Sequence, residues 1–245
     1  MAEAEDFSHL AEVHRLGDDK IPDRVFEWVD GSTIDLVWRN ELGGLTFQLG
    51  NGLFVKWNPQ STGIDLEREQ VRLEWLAGRH PAPLLVSYGA DQEAQWLVTQ
   101  ALPGGSAVGD EWRARRPEAI NAIAKGLRAL HAIPFEDFPS YWVDETWVGA
   151  SAESLGPRPA VDQPVLVHGD ACAPNTMISP GGEWTGNVDF GDLAVGDRWA
   201  DLAVASLSLD WNFGEGHQHE LFEAYGIDPD KERIHYYRAL WELES

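Results

Sequence analysis

The stretch LVHGDACAPNTMI, Leu166 to Ile178, stops an apolar run at His168-Gly169-Asp170, places Asn175 five residues after the aspartate, and turns apolar again. Polar side chains at a fixed offset between apolar flanks suit a loop that presents chemistry between two short strands. A second acidic motif follows in WTGNVDFGD, where Asp189 precedes Phe190-Gly191. A carboxylate within hydrogen-bond reach of a hydroxyl orients it and accepts its proton. Mg2+ is a hard cation that takes oxygen ligands, usually one or two carboxylates beside phosphates and water. Asp170, Asn175 and Asp189 thus supply a base, a carbonyl ligand and a metal carboxylate, the parts of a phosphoryl-transfer site.

Upstream of this stretch the pattern is that of strands. LVWRNELGGLTFQLGNGLFVKW, Leu36 to Trp57, alternates apolar positions around a Gly43-Gly44 break and an Asn51-Gly52 turn signal. Asn-Gly between alternating runs predicts an antiparallel hairpin. DLEREQVRLEWL, Asp65 to Leu76, has helical spacing and ends near Gly78 and Pro81. PLLVSYG and AQWLVTQAL read as two more strands, and Pro103-Gly104-Gly105 marks a boundary. Beyond it PEAINAIAKGLRALH, Pro117 to His131, is a helix opened by proline. Residues 134–164 read as irregular or short helical, and Asp197 to Trp241 as mostly helical. The expectation is an α+β fold of two lobes with a cleft between them. A β-rich N-terminal lobe covers residues 1–102, and a mostly helical C-terminal lobe covers residues 103–245.

Composition narrows the partners. The chain has 245 residues with 41 acidic and 18 basic side chains, a formal net charge of -23. Phosphate backbones need clustered Lys and Arg, so nucleic acid is excluded as a partner. A field of this sign serves solubility, and it also draws in cations. No apolar run reaches membrane-spanning length, and MAEAEDFSHLAEVH lacks the basic and apolar regions of a secretory signal. Cys172 is the single cysteine. Together these features lead to the expectation of a cytoplasmic protein without a membrane partner.

Lys56 stands between Val55 and Trp57 in an apolar strand. Such a lysine either snorkels to water at a strand edge or meets a carboxylate. Glu69 is the nearest candidate in sequence order.

HGDACAPNTM, NVDFGDLAVGDRWADLA and YGIDPDKERIHYYRALWEL together resemble the aminoglycoside phosphotransferases, kinase-fold enzymes that act on small molecules, and above all those acting at a 3'-hydroxyl. The resemblance runs from about Leu36 to the end. It implies a bilobal protein-kinase-like fold and transfer of the γ-phosphoryl of ATP or GTP, with Mg2+, to a small cationic acceptor. By this resemblance Asp170 is the catalytic base or substrate-orienting residue, and Asn175 and Asp189 are the Mg2+ ligands. Lys56 contacts the α- and β-phosphates, with Glu69 as its ion-pair partner. Phe54 lies against the adenine, Thr99 to Leu102 form the hinge, and the backbones of Gln100 and Leu102 meet the adenine edge. Gly43 and Gly44 fall in the loop over the phosphates. His168 and Asp201 support the catalytic loop. The oligomeric expectation is a monomer or a homodimer.

Three features depart from that family. The segment between His131 and His168 is cut down, Asp192 stands where arginine is frequent, and Ala173 replaces an acidic residue of some relatives. Asp144, Glu145, Asp192, Glu242 and Glu244 remain as candidate contacts to a cationic acceptor. Another small amino sugar, a choline-like alcohol or a metabolic alcohol is the alternative acceptor. A nucleotide-binding module without catalysis is the alternative of another class, and the joint presence of Asp170, Asn175, Asp189, Lys56 and Glu69 argues against it. A protein kinase is excluded, because the seven residues between Asp189 and Asp197 leave no room for an activation segment. Cys172 reads as a neutral spacer, and His217 with His219 as a solvated loop. Trp142, Trp147 and Trp211 lie in segments suited to line a pocket.

Overall fold

A computed structural model describes residues 21–244, with the side chain of Glu244 outside the described set; the N-terminal stretch read above for a signal also lies outside it. The described residues fall into two compact units. One comprises residues 21–77 and Ala82–Leu102; the other comprises Gly78–Pro81 and residues 103–244.

The first unit is built on a five-stranded antiparallel sheet. Its strands are β1 (Ile34–Arg39), β2 (Leu45–Leu49), β3 (Leu53–Pro59), β4 (Leu84–Ala90) and β5 (Ala94–Gln100), in the order β1-β2-β3-β5-β4. The Asn51-Gly52 turn joins β2 to β3, with Gly52 at φ 85°, a left-handed conformation that glycine adopts without a Cβ penalty. Alternate apolar side chains of β2 and β3 enter one core, where Phe47 and Val55 are fully buried against Val25, Leu36 and Val98. Val25 comes from the short helix α1 (Asp23–Phe26). Helix α2 (Leu66–Leu76) begins where the Asp65 carboxylate accepts the Glu67 N–H, a cap worth about 1 kcal/mol.

The second unit is mostly helical. After α3 (Asp110–Ala114), helix α4 (Arg116–His131) carries Pro117 in its first turn, where the missing N–H costs no hydrogen bond. It packs with α5 (Arg198–Phe213), α6 (Gln218–Tyr225) and α7 (Lys231–Glu244) around Ile120, Ile123, Leu202, Leu209 and Leu240. Two small antiparallel sheets lie in this unit. β7 (Pro164–Val167) pairs with β10 (Ala194–Asp197), and β6 (Gly105–Ser106), β8 (Thr176–Ile178) and β9 (Trp184–Asn187) form the other. Residues 190–196 are therefore a turn and the start of β10. Trp142 and Trp147 are each 6% exposed and belong largely to the core. Trp211 stacks on Trp241 at 5.6 Å. Among the described residues no helix is long and apolar enough to cross a membrane.

Candidate active site

The loop from His168 to Asn175 leaves β7 and enters β8, so both of its ends are fixed by sheet pairing. Gly169 makes the turn possible. Its φ is 83°, and a Cβ added there would sit 2.2 Å from the carbonyl oxygen of Asp192. The buried Asp201 of α5 holds the turn from below. One of its oxygens accepts the N–H of His168 at 2.7 Å, the other that of Gly169 at 3.0 Å. His168 is buried too. Its Nε2 lies 2.9 Å from the Val188 carbonyl, and its Nδ1 accepts the Asp170 N–H. His168 thus joins the loop to the segment carrying Asp189.

Asp170 and Asn175 are brought together. The Asn175 amide nitrogen donates to Asp170 Oδ2 and to the Asp170 carbonyl, each at 2.9 Å. That leaves the Asn175 side-chain oxygen as the amide's remaining polar atom. Asp170 Oδ1 is itself covered and has no hydrogen-bond partner. Burial, and then the charge of Asp189, raise the Asp170 pKa above the ordinary carboxylate range. A buried carboxylate oxygen without a donor is costly on its own terms and fits a place where a cation or a hydroxyl arrives. Asp189 has φ 68°, the one non-glycine residue with positive φ among those described. Strain of this kind is of order 1–3 kcal/mol and collects at functional sites. Two carboxylates and an amide oxygen form a hard donor set that suits Mg2+.

In the first unit Lys56 of β3 meets Glu69 of α2, with its ammonium 2.6 and 2.8 Å from the two carboxylate oxygens. Glu69 is 5% exposed, so the lysine is met by a carboxylate rather than snorkelling alone. Phe54 lies two residues before Lys56 on the same strand, opposite Thr99 of β5. Gln100 ends β5, and the Ala101 N–H bonds to the Gly52 carbonyl just before Leu102. The Gly43-Gly44 loop is closed by Asn40, whose side-chain oxygen accepts the Leu42 and Gly44 N–H groups. A Cβ on Gly44 would overlap the Asn58 side chain at 1.7 Å, so a larger residue there would have to displace the Asn58 and Asn40 side chains.

The candidate acceptor contacts are more dispersed. Asp144 and Glu145 are exposed and line a concavity of about 370 Å³ with Thr146 and Trp147. Trp147 is mostly buried yet contributes to that wall, and its indole N–H donates to the Gly169 carbonyl at 2.6 Å. Asp192 is half-buried beside Gly169. Glu242 is exposed on α7, where its charge faces Arg238. The side chain of Glu244 lies outside the described residues. Cys172 has its thiol pKa pushed well above the usual value by burial and by the Asp170 charge, which keeps it protonated. His217 pairs with Glu220 at 2.9 Å, and among the described residues no cluster of three or more His, Cys, Asp or Glu is placed to hold an ion.

Several supporting residues escaped the sequence reading. His131 bonds Asp201 at 3.0 Å and Tyr225 at 2.8 Å, and Ser208 accepts the Ala173 N–H at 2.9 Å. His80 and Asn187 meet at 3.2 Å. Each pair is far apart in sequence, and no local spacing signals it.

A sequence profile described as the phosphotransferase enzyme family matches residues 43–154 and 150–237. The chain is 36% identical over 222 residues to the aminoglycoside 3'-phosphotransferase of Streptomyces fradiae, spanning 76% of this chain and 82% of that protein. It is 30% identical over 248 residues to the streptomycin 3''-kinase of Streptomyces griseus, spanning 83% and 89%. The crystal structure of an aminoglycoside-3'-phosphotransferase of type VIII matches with a TM-score of 0.73 at 29% identity, over 89% of this chain and 96% of that one.

Proposed function

The chain belongs to the phosphotransferase enzyme family, with a hydroxyl as acceptor, and from that premise we propose that it moves the γ-phosphoryl group of ATP to the 3'-hydroxyl of an aminoglycoside. The observation that carries the reading is Asp170. Its carboxylate is steered by Asn175, raised in pKa by burial and by Asp189, and keeps one covered oxygen without a donor. An acceptor hydroxyl hydrogen-bonded to that oxygen is oriented for in-line attack and has a proton acceptor at hand.

Asn175 and Asp189 would hold Mg2+ through oxygen atoms. When bound, that ion would neutralise charge on the phosphate oxygens. Asp201 and His168 keep the loop rigid, so Asp170 is presented in one orientation. Lys56, fixed by Glu69, offers its charge to the α- and β-phosphates. Phe54 packs on the adenine, the backbones of Gln100 and Leu102 bond its edge, and the Gly43-Gly44 loop lies over the phosphates. Residues 1–102 form the nucleotide lobe, and residues 103–245 the catalytic and acceptor lobe. Asp144, Glu145, Asp192, Glu242 and Glu244 contact acceptor ammonium groups, and the net charge of -23 favours encounter with a polycation.

The test is a coupled nucleotide-consumption assay with Mg-ATP against kanamycin, neomycin, streptomycin, gentamicin, choline and simple amino sugars. Turnover with kanamycin or neomycin, absent with their 3'-deoxy analogues, supports the reading. Turnover with choline or simple amino sugars alone would overturn the acceptor and keep the chemistry.

A further inference from the structure

Asn187 is 3% exposed and lies on β9 opposite Thr176, the residue after Asn175, and two positions before Asp189. It stands between the two proposed metal ligands. Its side chain uses all of its hydrogen-bonding capacity. Oδ1 receives Trp184 Nε1 at 3.1 Å and faces His80 Nε2 at 3.2 Å. Nδ2 donates to Thr176 Oγ1 at 3.3 Å and to the Asn175 carbonyl at 3.4 Å. The main chain repeats the pattern, since the Asn187 N–H bonds to the Pro81 carbonyl and the Val188 N–H to the Asn175 carbonyl, each at 3.0 Å.

Chemistry fixes the direction of these bonds. An indole N–H only donates and a carbonyl only accepts, so Oδ1 must face Trp184 and Nδ2 must face Asn175. His80 Nε2 must then carry the proton and donate. His80 is 7% exposed, and burial lowers its pKa to about 4, so the ring is neutral at pH 7. Its faces and edges are filled by Trp184 at 5.4 Å and Phe190 at 5.7 Å. Gly126 of α4 leaves the space, because a Cβ there would approach Trp184 Nε1 to 2.7 Å and Asn187 Oδ1 to 3.0 Å.

We infer that His80, acting through Asn187, is a positioning residue that sets the placement of Asn175 and Asp189 and thereby the divalent-cation affinity of the site. The inference rests on the reading of Asn175 and Asp189 as the metal ligands. Residues that hold ligands in place change metal affinity by roughly 10- to 100-fold when removed. His80 comes from the connection after α2, 107 residues away from Asn187 in sequence, and touches neither proposed ligand in the bonds described above.

The experiment is Mn2+ titration of the full chain with ADP, followed by electron paramagnetic resonance, on wild type, His80→Phe, His80→Gln, Asn175→Ala and Asp189→Ala. Phenylalanine keeps the ring contacts and removes the donor; glutamine returns an N–H near the Nε2 position. The expected result is Mn2+ binding weaker by roughly 10-fold in His80→Phe and within about twofold of wild type in His80→Gln, with the KM for ATP little changed. Wild-type affinity in His80→Phe, while Asn175→Ala and Asp189→Ala bind weakly, overturns the inference alone. Wild-type affinity in both ligand variants overturns the metal-ligand reading itself and the inference with it. If His80→Phe does not fold, the 15N spectrum of wild-type His80 decides: an Nε2–H tautomer at pH 7 supports the node, and an Nδ1–H tautomer overturns it.

Discussion

The side-chain nitrogen of Asn175 donates to both the carboxylate and the main-chain carbonyl of Asp170, at 2.9 Å in each case. One side chain therefore locks the rotamer of the other and keeps its own oxygen turned elsewhere. The amide that orients Asp170 is thus also the one that carries a proposed metal-ligand oxygen.

Asn175→Ala removes both donations and a proposed ligand oxygen at once. Turnover should fall by about 100-fold or more, the scale on which positioned acid–base and electrostatic groups act. Steady-state kinetics at saturating Mg2+ check this. A kcat within about threefold of wild type would exclude the pair from the reaction centre.

Asp170→Asn should separate stability from activity. The Asp170 pKa is raised by burial and by Asp189, so between the ordinary carboxylate range and the raised value the folded chain holds more protons than the unfolded one. Stability from this group falls as pH rises through that window, and at pH 7 the buried charge is a burden. The neutral amide should raise the melting temperature of the metal-free protein by about 2–4 °C, the response of a chain this size to ~1 kcal/mol. Phosphoryl transfer should be lost. A lower melting temperature than wild type would show that the charged form is well satisfied.

The Lys56–Glu69 pair should behave as a unit. Glu69→Gln and Lys56→Met each break it, and each should raise the KM for ATP. The stability cost should be about 1–3 kcal/mol, below the 3–5 of a fully buried pair because the Lys56 side chain is 25% exposed. The double variant should cost little more than either single one, as a double-mutant cycle on melting temperature would reveal. Additive losses would mean that the two side chains act independently.

Acid should destabilise the protein through His80. Its folded pKa is lowered by burial to about 4 from 6.5, so the stability it contributes is present above pH 6.5 and is lost as pH falls toward 4. The full loss is at most about 3 kcal/mol. His80→Phe lacks this titration, so its melting temperature should change less than that of wild type between pH 7 and pH 4.5. Parallel curves for the two proteins would contradict a neutral buried imidazole.

Elements with local signals were legible in the sequence. Asn51-Gly52 sits at the hairpin turn and Pro117 lies in the first turn of α4, because each acts on its own few neighbours; Asp65, read as the first residue of its helix, is instead the cap before α2. The Asp170–Asn175 pair was legible for the same reason, being five residues apart in one loop. β6 and β10 were not foreseen. They are two and four residues long, and strand pairing with β8 and β7 makes them strands. The Trp147–Gly169 and His131–Asp201 bonds were hidden likewise, since a buried polar side chain shows its partner only once the chain has folded. The acidic residues thought to meet the acceptor had charge but no fixed spacing, and they remain spread over the loop 144–145, Asp192 and α7.

The bond between His80 and Asn187 also has a timetable. Its two ends are 107 residues apart, so during synthesis at about 5–20 residues per second His80 emerges about 5–20 s before its partner exists. All five strands of the first unit's sheet have been made by Gln100; β1–β2, β2–β3 and β4–β5 join consecutive strands, whereas β3 pairs with β5 across a longer separation, Leu53 opposite Gln100. Every strand of that sheet has therefore been made while the buried partner of His80 is still to come. Burial of that histidine against Trp184, Phe190 and Asn187 can follow only once the segment carrying Asp189 has been made, so it and the placement of the proposed metal ligands wait on the same stretch of chain.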